Sequence, residues 1–480
     1  MPLSAAARAV PGAEIRGDGA TPVVEVAFDA RDVEPDALFF CVPGTHTDGH
    51  DHAGTAVRAG AAGLVVERWL DLDVPQIRVP SVRRAMGPVA AVVFGDPARS
   101  LTIVGVTGTN GKTTVVHLLD EVFRAAGRRT GVLGTVGAHI AGEPVRLERT
   151  TPEAPDLHRL LARMRADHVT VVAMEVSSHA LAQDRIAGVR FDAAVFTNLS
   201  QDHLDYHRSM DAYFEAKASL FTRERAERAV VNVDDPWGRR LVGALLPTTT
   251  FGLAPSADVR GIDLRVTPGG LAFRVDGRDF TSPLRGAFNV SNCLATIAAS
   301  GVVGVEPDAA LRGLATAREV PGRMEPVEAG QDFLVVVDYA HTPDSIRNVL
   351  AAARPLARGR VIVVFGCGGD RDRAKRFPMG VAATEGADLT VITSDNPRSE
   401  DPLAIIEEIQ RGAADGGGRS VVEPDRRTAI RLALGEARSG DVVVIAGKGH
   451  EREQEVADGS VPFDDRVVAR EELAILGGDQ

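Results

Sequence analysis

The sequence predicts a mixed α/β protein with three domains, each containing a largely parallel β-sheet. Apolar runs typical of buried strands alternate with amphipathic stretches typical of helices along the whole chain. The 480 residues also correspond to about three domains at roughly 150 residues per domain. Breaks containing Pro and Gly at FGDPARSLT and REVPGRMEPV place the domains at residues 1–98, 99–320 and 321–480.

The individual strands and helices are predicted in chain order from these runs. The first domain contains the strands VVEVAF, ALFFCV, AGLVVE and PQIRVP and the helix HAGTAVRAGA. In the second domain the strand TIVGV leads through a Gly-rich turn into a helix from Lys112 to Ala126, and the helix LHRLLARMRA precedes the strands VTVVAMEV and DAAVFTNL. The third domain is predicted to be doubly wound and Rossmann-like, with the strands FLVVVDYA, RVIVVFG, DLTVITSD and DVVVIAGKG around helices such as SIRNVLAAARPLA.

The composition argues against several classes of protein. A formal net charge of −12 disfavours electrostatic capture of nucleic acid or anionic lipid. Cys41, Cys293 and Cys367 form no Cys-x-x-Cys pair, so neither a disulfide framework nor a zinc knuckle is indicated. No apolar run approaches the roughly 18 residues of a spanning helix, and the N-terminus lacks the pattern of a secretion signal. We expect a cytoplasmic monomer that acts on small molecules, with no nucleic-acid partner and no membrane insertion.

The Gly-rich turn after TIVGV predicts a phosphate-binding loop, because backbone N–H groups and the helix N-terminus can face a polyphosphate there. Lys112 can neutralise the β- and γ-phosphates, and the hydroxyl of Thr113 or Thr114 can bind Mg²⁺. The loop is a variant, since the standard pattern requires glycine where this chain has Val106. The alternative is an ordinary Gly-rich turn. The loop residues to which we assign ATP binding are Gly108, Thr109, Asn110, Gly111, Lys112, Thr113 and Thr114.

Lys217 lies in the middle of an apolar stripe on a predicted helix. Tyr213, Phe214, Leu220 and Phe221 stand three and four residues on either side of it. A buried ammonium group needs a partner or must be neutralised. The alternative is a lysine at the edge of the stripe whose ammonium reaches water.

A series of motifs extends along nearly the whole chain. They are GTNGKTT, TTPEAPDL, MEVSSHAL, NLSQDHLDYH, YFEAKASLF, FNVSN, PGRME, VDYAHTPD, GCGGDRD, SDNPRSE and GKGHE. The set resembles the Mur ligases of peptidoglycan synthesis, which share motifs with folylpolyglutamate synthases. Within that family it is similar to members that add the third residue of the stem peptide to UDP-N-acetylmuramoyl-L-alanyl-D-glutamate. The resemblance implies an ATP-dependent amide ligase that forms an acyl phosphate and uses two Mg²⁺ ions.

The resemblance also implies roles around the nucleotide. Asn289 and Asn292 resemble family residues near the adenine, and Arg323 and Asp338 resemble those that contact the nucleotide from the third domain. Lys448 and His341 also match motifs, and only supporting roles are assigned to them.

A second Mg²⁺ site follows from the same resemblance. The family lysine that matches Lys217 reacts with CO₂ and becomes N6-carboxylysine, an anionic metal ligand. Glu175 and His203 complete that site, and with Lys112 these residues are the predicted catalytic groups. Considered without the resemblance, Glu175 and His203 are interpreted as a helix-capping acid and a surface histidine.

The third domain contains the candidate amino-acid pocket. The stretch GCGGDRD fails the dinucleotide pattern G-x-G-x-x-G, whose third glycine is replaced by Arg371. Pro397 fixes a turn that can present Arg398 to a carboxylate, and the alternative is a surface turn. In the family a DNPR loop marks users of diaminopimelate, with Arg398 expected on its distal carboxylate and Glu451 on its distal ammonium. The resemblance implies a pocket formed by Arg371, Asp395, Asn396, Pro397, Arg398, Gly447 and Glu451.

The UDP-linked substrate is assigned residues in two domains. The stretch GTHTDGH, residues 44–50, resembles the uridine diphosphate loop of the family. This chain departs from the family where it has Ala30 in place of the usual serine, which removes one hydroxyl contact. The residues that match those holding the muramoyl peptide are Thr150, Thr151, Ser177, Gln183 and Arg185.

The sequence thus favours a ligase that adds diaminopimelate, and three alternatives remain. They are a ligase of the same family that adds lysine or glutamate, a P-loop small-molecule kinase, and a non-catalytic binding protein on the same scaffold. The DNPR loop counts against the first and the amino-acid pocket against the second. The retained Lys112, Glu175, His203 and Lys217 count against the third.

Overall fold

The computed structural model describes residues 1–44, 47–267 and 269–478. The described chain contains five β-sheets, three of which consist mostly of parallel strands. The predicted mixed α/β fold class is confirmed. Across the described ranges, no helix has both the length and the apolar character needed to span a bilayer. The boundaries after residues 98 and 320 stay predictions.

The N-terminal sheet has the strand order β1-β5-β4-β3-β2, in which β1 is antiparallel to β5 and the others are parallel. Phe39 and Phe40 are successive residues of β3 and point into separate apolar clusters, so both faces of the sheet are covered. The elements are α1 (Leu3–Arg8), β1 (Glu14–Arg16), β2 (Glu25–Ala27), β3 (Ala37–Phe40), α2 (Ala53–Arg58), β4 (Gly63–Val66), β5 (Gln76–Arg78) and α3 (Val82–Val93).

The central sheet has nine strands in the order β14-β13-β12-β11-β6-β10-β7-β8-β9, with β8 and β9 antiparallel to their neighbours. The strand β6 therefore lies between β11 and β10, and the carboxyl ends of these three parallel strands meet at one edge. The strands are β6 (Thr102–Thr107), β7 (Thr130–Gly134), β8 (Gly137–Ile140), β9 (Glu143–Val145), β10 (Val171–Glu175), β11 (Phe191–Phe196), β12 (Ala226–Asn232), β13 (Thr248–Gly252) and β14 (Val259–Arg260).

Helices cover both faces of the central sheet. Apolar residues of α4, α10 and α11 form the cluster on one face, and those of α5 and α8 belong to the cluster on the other. The helices are α4 (Lys112–Ala125), α5 (Ala154–Ala166), α6 (Ser178–Ala182), α7 (Leu204–His207), α8 (Met210–Ala218), α9 (Pro236–Arg239), α10 (Phe288–Val302) and α11 (Pro307–Ala315).

A three-stranded antiparallel sheet adds Phe273 and Phe280 to the first of these two clusters. Its strands are β15 (Ile262–Thr267), β16 (Gly270–Val275) and β17 (Arg278–Ser282). This sheet was not predicted; its first strand, β15, is largely exposed and alternates apolar and polar residues in place of a continuous apolar run.

The C-terminal sheet has the order β18-β19-β23-β20-β21-β22, and all its strands except β18 are parallel. Val363 and Val364 of β20 enter clusters on opposite faces, so the predicted doubly wound arrangement is present. The elements are β18 (Glu325–Pro326), β19 (Leu334–Asp338), α12 (Pro343–Ala353), β20 (Val361–Phe365), α13 (Arg376–Gly386), β21 (Leu389–Ile392), α14 (Pro402–Gly416), β22 (Ser420–Val422), α15 (Arg426–Glu436), β23 (Val442–Ala446), the hairpin β24 (Glu453–Val456) and β25 (Gly459–Pro462), and α16 (Asp465–Gly478).

A buried ion pair joins the first residues of α15 and α16. The guanidinium of Arg426 donates to both carboxylate oxygens of Asp465 at 2.8 and 2.7 Å, and both side chains are fully buried. Arg426 also donates to the carbonyls of Ser394 and Ala446 at 3.1 and 2.9 Å. These carbonyls lie just after β21 and at the end of β23, so one guanidinium fixes two loops at the edge of the sheet.

We expect Asp465→Asn to lower the free energy of unfolding by about 3–5 kcal/mol, because it leaves a buried guanidinium without its counter-ion. Urea unfolding followed by circular dichroism measures the change. Glu407→Gln is the control, since it removes an exposed ion pair with Arg411 and should cost less than about 1 kcal/mol. Equal losses in the two variants would contradict the argument.

Candidate active site

The phosphate loop runs from the end of β6 to the start of α4 and admits no additional side chain. A Cβ atom added to Gly108 would lie 1.9 Å from Oγ1 of Thr197, and one added to Gly111 would lie 2.4 Å from Oδ1 of Asn292. Both glycines have positive φ angles, 147° and 87°. The helix N-terminus at Lys112 therefore stays accessible to an anion.

The loop is fastened to the residues that follow β11. Oγ1 of Thr197 and Nδ2 of Asn198 donate to the carbonyl of Asn110 at 2.6 and 3.1 Å. The N–H of Asn110 donates back to Oδ1 of Asn198 at 2.9 Å. Sequence reasoning placed Asn198 in a motif but gave it no role, and neighbouring strands β6 and β11 explain how it reaches the loop.

Two lysine ammonium groups share one carbonyl of this loop. Lys112 Nζ donates to the carbonyls of Gly108 and Thr109 at 3.0 and 2.9 Å, and Lys217 Nζ donates to that of Gly108 at 2.8 Å. Burial, together with the charge of Lys112, holds the pKa of Lys217 well below its ordinary value. Burial also lowers the pKa of Lys112.

Lys217 does not reach water from the edge of the apolar stripe. Lys217 is 1% exposed, and its Nζ atom lies 4.5 Å from the centre of the Tyr213 ring. The helix α8 ends at Ala218, so Leu220 and Phe221 lie beyond it, although both remain buried beside it. The prediction of a buried lysine is therefore correct, and the helix is shorter than the stripe.

Glu175 is the last residue of β10 and faces the end of β7. Its carboxylate accepts hydrogen bonds from the N–H and Oγ1 of Thr135 at 2.7 and 3.1 Å. A Cβ atom on Gly134 would lie 2.6 Å from Oε1, so the approach needs glycine there. Thr150, expected near the muramoyl peptide, lies 2.9 Å from the same Thr135 hydroxyl.

His203 lies after β11 with a left-handed backbone, at φ 54°. Its Nε2 is 3.4 Å from Oδ2 of Asp202, which also lies 3.6 Å from Nε2 of His341. Burial lowers the pKa of His203 to about 3, so the imidazole is neutral, as a metal ligand must be. Burial opposes ionisation of Asp202, but the contact with His341 and the surrounding positive groups hold its pKa low.

In the predicted second Mg²⁺ site, Lys217 can be a ligand beside Glu175 and His203 only if its side chain becomes an anion. Within the described residues, no three His, Cys, Asp or Glu side chains are arranged to hold a metal ion. The metal site of Glu175, His203 and Lys217 stays a prediction, in which Lys217 supplies the third donor as a carbamate. The hydroxyl of Thr113 accepts a hydrogen bond from Nη2 of Arg323 at 3.1 Å.

The predicted adenine residues lie on α10 beside the phosphate loop. Nδ2 of Asn292 donates to Oδ1 of Asn289 at 2.7 Å, and Nδ2 of Asn289 donates to the carbonyl of Arg285. Both amides are buried. Thr114 is buried in the first turn of α4.

Arg323, which follows the central sheet in the chain, contacts Thr113 at the end of the phosphate loop. Arg323 stacks its guanidinium 4.6 Å from the centre of the Tyr339 ring. Asp338 ends β19 and accepts hydrogen bonds from the backbone N–H groups of Met324 and Ala340 at 2.7 and 2.8 Å, while burial raises its pKa. Asp338 thus positions the segment that carries Arg323.

One hydrogen bond joins the phosphate loop of the central sheet directly to helix α12, which follows β19 of the C-terminal sheet. Nδ2 of Asn110 in the phosphate loop donates to Oδ2 of Asp344 in α12 at 3.0 Å. Asp344 closes the motif VDYAHTPD, but the sequence assigned it no role, because its partner lies 234 positions away in the chain.

The residues expected to hold the muramoyl peptide lie together beside Glu175. Thr151 Oγ1 donates to the carbonyl of Glu175 at 2.9 Å and accepts from the N–H of Ser177 at 3.1 Å. Arg185 donates to the carbonyl of Thr151 at 3.3 Å and to Oε1 of Gln183 at 2.6 Å.

Arg185 also has a buried counter-ion that sequence reasoning missed. Its Nε lies 3.1 Å from Oε1 of Glu153, which is 2.6 Å from Arg83 through its other oxygen. Arg83 belongs to α3, so this carboxylate joins the N-terminal region to the peptide site.

The uridine diphosphate loop is described in part. Thr45 and His46 lie outside the described residues. His50 is buried, with Nδ1 2.6 Å from Asp48 and Nε2 accepting from the N–H of Glu67 at 3.0 Å. Asp29 and Arg31 form an ion pair on either side of Ala30.

The DNPR loop follows β21 and forms a network with the GKGHE segment after β23. The ammonium of Lys448 is fully buried and donates to Oδ1 of Asn396 at 2.8 Å, to Oε2 of Glu451 at 2.9 Å and to the carbonyl of Glu453 at 2.7 Å. Nδ2 of Asn396 donates to the same carboxylate oxygen of Glu451. One oxygen of Glu451 therefore already has two donors.

The remaining pocket residues surround this network. A Cβ atom on Gly447, whose φ is 112°, would lie 2.4 Å from Oδ2 of Asp395, so only glycine fits there. Gly369 packs against the carbonyl of Pro397 in the same way. Arg371 is exposed and donates only to a backbone carbonyl next to it. Asp395, Asn396, Gly447 and Glu451 thus lie in one set of contacts, and the amino-acid pocket itself stays a prediction.

Lys375 is a buried lysine that the sequence analysis missed. It is 6% exposed, and its charge contributes to the low pKa of Asp202. A signal was available in the sequence: of 54 basic residues only four are lysines, and the other three are Lys112, Lys217 and Lys448. A residue type that is rare in the chain and recurs at its functional loops marks a candidate site.

Three family models match successive parts of the chain. The Mur ligase family catalytic domain matches residues 22–93, the Mur ligase middle domain matches residues 106–300, and the Mur ligase glutamate ligase domain matches residues 322–449.

Similar proteins cover almost the full chain. The UDP-N-acetylmuramoyl-L-alanyl-D-glutamate--2,6-diaminopimelate ligase of Geobacillus thermodenitrificans is 46% identical over 484 residues, with 98% of this chain and 99% of the relative covered. The ligase of the same name from Gloeobacter violaceus is 48% identical, with 94% of each covered. A solved structure of a ligase of that name matches with a TM-score of 0.70, 34% identity and 99% of both chains covered. A folylpolyglutamate synthase of Mycobacterium tuberculosis shares the fold, with a TM-score of 0.64 at 20% identity, 82% of this chain and 94% of that one. The chain therefore belongs to the Mur ligase family.

Proposed function

We propose that this chain is an ATP-dependent ligase that adds diaminopimelate to the D-glutamyl carboxyl group of UDP-N-acetylmuramoyl-L-alanyl-D-glutamate. The observation that carries the proposal is that the phosphate loop contacts the domain whose sheet also carries the predicted amino-acid pocket. Asn110 of the loop meets Asp344 of the C-terminal sheet region. The same sheet places the DNPR loop after β21. Relatives named for this reaction, 46% and 48% identical, support it.

The first step transfers the γ-phosphoryl group of ATP to the substrate carboxylate. A carboxylate oxygen attacks the γ-phosphorus, the bond to the bridging oxygen breaks, and ADP leaves. Repulsion between the carboxylate and the triphosphate opposes this approach, so positive charge must lie between them. We assign that charge to Lys112 and Arg323. The backbone of Gly108–Gly111 and the side chains of Thr113 and Thr114 hold the phosphates, and the amides of Asn289 and Asn292 lie near the adenine.

Two Mg²⁺ ions supply further charge neutralisation when bound. Thr113 is assigned to one site, and Glu175, His203 and Lys217 to the other. The low pKa of Lys217 favours its neutral amine, which is the form that attacks CO₂ to give a carbamate and one released proton. The buried carbamate is the anionic third donor that Glu175 and the neutral His203 require.

The second step forms the amide. The amine of diaminopimelate attacks the acyl carbon, the bond to the phosphate breaks, inorganic phosphate leaves and the nitrogen loses a proton. Arg398 is assigned to the distal carboxylate and Glu451 to the distal ammonium, whose charges match. The pocket walls are Asp395, Asn396, Pro397 and Gly447, with Arg371 at the rim.

The muramoyl peptide is assigned to the cluster beside Glu175. Thr150, Thr151, Ser177, Gln183 and Arg185 offer hydroxyl, amide and guanidinium groups within one network. This places the substrate carboxylate next to the residues assigned to Mg²⁺. We propose that the enzyme works in the cytoplasm as a monomer, with the domains given by residues 1–98, 99–320 and 321–480.

We expect phosphate release from ATP to require Mg²⁺, UDP-N-acetylmuramoyl-L-alanyl-D-glutamate and a diaminopimelate isomer, with the tripeptide product confirmed by mass. L-Lysine should support little turnover, because it offers no distal carboxylate to Arg398. Comparison of the meso and LL isomers identifies the one used. Preference for lysine would overturn the amino-acid assignment, and phosphate release without an amide would favour a kinase or an ATPase.

We expect ¹³C-bicarbonate to give one carbamate signal in the ¹³C NMR spectrum of the wild-type protein. Lys217→Arg should lose the signal and about 100-fold or more of the activity, as for other groups that stabilise transition-state charge. Lys375→Arg is the control and should keep the signal. With only four lysines in the chain, assignment is direct. A carbamate that persists in Lys217→Arg would contradict the metal assignment.

A further inference from the structure

The arginine assigned to the distal carboxylate of the amino acid already has a carboxylate partner from the chain itself. Nε of Arg398 lies 2.5 Å from Oε2 of Glu455, and its Nη1 donates to the carbonyl of Gly369 at 2.9 Å. Glu455 belongs to β24 and comes four residues after Glu451. Sequence reasoning did not single it out, because it lies beyond the GKGHE motif.

The position of Glu455 is built into the fold. Its N–H donates to Oδ1 of Asn396 at 3.1 Å, and its carbonyl accepts from the N–H of Arg398 at 3.1 Å. The neighbouring Gln454 donates to the carbonyl of Asp395 at 2.5 Å. One backbone hydrogen bond and two that involve the side chains of Asn396 and Gln454 therefore hold β24 against the DNPR loop, which keeps the Glu455 carboxylate beside the guanidinium.

The Arg398–Glu455 pair differs from the second ion pair of the pocket. The ammonium of Lys448 is fully buried against Glu451 and has three acceptors, so that pair is a fixed part of the network. Glu455 is 52% exposed and Arg398 is 20% exposed. An exposed pair is worth little and is screened by salt. The Glu455 carboxylate can therefore leave for water when another anion arrives.

We propose that Glu455 is a specificity-determining residue that competes with the distal carboxylate of diaminopimelate for Arg398. The inference rests on the proposed function. Glu455 occupies Nε of Arg398 and the carbonyl of Gly369 occupies its Nη1, so a carboxylate that binds the Nε side of the guanidinium must displace Glu455. Lysine has no distal carboxylate and leaves the internal pair intact. Glu455 thus weakens the binding of diaminopimelate but not that of lysine, so it reduces the ratio of the two affinities.

The test compares wild type, Glu455→Gln and Asp458→Asn. Asp458 lies in the turn of the same hairpin and is exposed, so its variant removes one negative charge nearby without touching Arg398. Glu455→Gln should lower KM for diaminopimelate about two- to fivefold, the range for releasing an exposed ion pair. It should leave kcat and the KM of ATP unchanged. Calorimetric titration with diaminopimelate should show the same gain in Kd, and high salt should reduce it.

The outcomes separate a failure of the proposed function from a failure of the proposed competition. If the wild-type protein forms no amide with diaminopimelate, the proposed function fails and this inference fails with it. If the wild type is active but KM for diaminopimelate rises in Glu455→Gln, Glu455 orients Arg398. If KM stays the same, Glu455 has no effect on binding. Either result refutes the competition, while the proposed function stands. A gain of equal size in Asp458→Asn would show a general charge effect and would also refute the competition. Thermal unfolding of both variants checks that the hairpin remains folded.

Discussion

The placement of two lysine ammonium groups against one backbone carbonyl is the constraint on which the rest of the site depends. Lys112 and Lys217 come from helices on different parts of the central sheet and meet at Gly108. Two buried like charges favour either loss of a proton or the arrival of anions. In the proposed function, a polyphosphate supplies the anion for Lys112, and reaction of the neutral Lys217 amine with CO₂ gives an anion in place of a second cation. Gly108 and Gly111 let the loop pack directly against Thr197 and Asn292, where a Cβ atom would collide.

The amino-acid pocket follows the opposite principle, since its charges are balanced before any substrate enters. Lys448 neutralises Glu451, and Glu455 neutralises Arg398. A pocket for a zwitterionic end group must hold both signs of charge close together, and such groups pair with one another in the empty site. Substrate binding there exchanges ion pairs, whereas nucleotide binding supplies missing charge. The two halves of the site should therefore differ in their dependence on salt.

The sequence predicted what is local and regular, and it missed what depends on contacts between distant segments. The predicted parallel strands, the phosphate loop and the DNPR loop each have a signature within about ten residues and lie where they were predicted. The parallel strands β7, β12, β13, β14 and β22 were not predicted. The stripe around Lys217 was equally consistent with a lysine that reaches water, and the structure excludes that alternative. Asp344 and Glu153 lie in motifs but were given no role, and Glu455 lies outside every motif. Each is an ordinary acidic residue whose partner comes from another element.

Occupancy of the nucleotide site and placement of the amino-acid pocket are coupled through shared atoms. The hydroxyl of Thr113 accepts from Arg323, and the same oxygen is assigned to Mg²⁺, so a bound cation and this hydrogen bond compete. Asp338 ties the Arg323 segment to β19 of the C-terminal sheet, whose other loops form the amino-acid pocket. On the proposed function, we expect a change at Thr113 to be transmitted to the sheet that carries the amino-acid pocket. Because such linkage is reciprocal, binding in that pocket would then alter the affinity for the nucleotide.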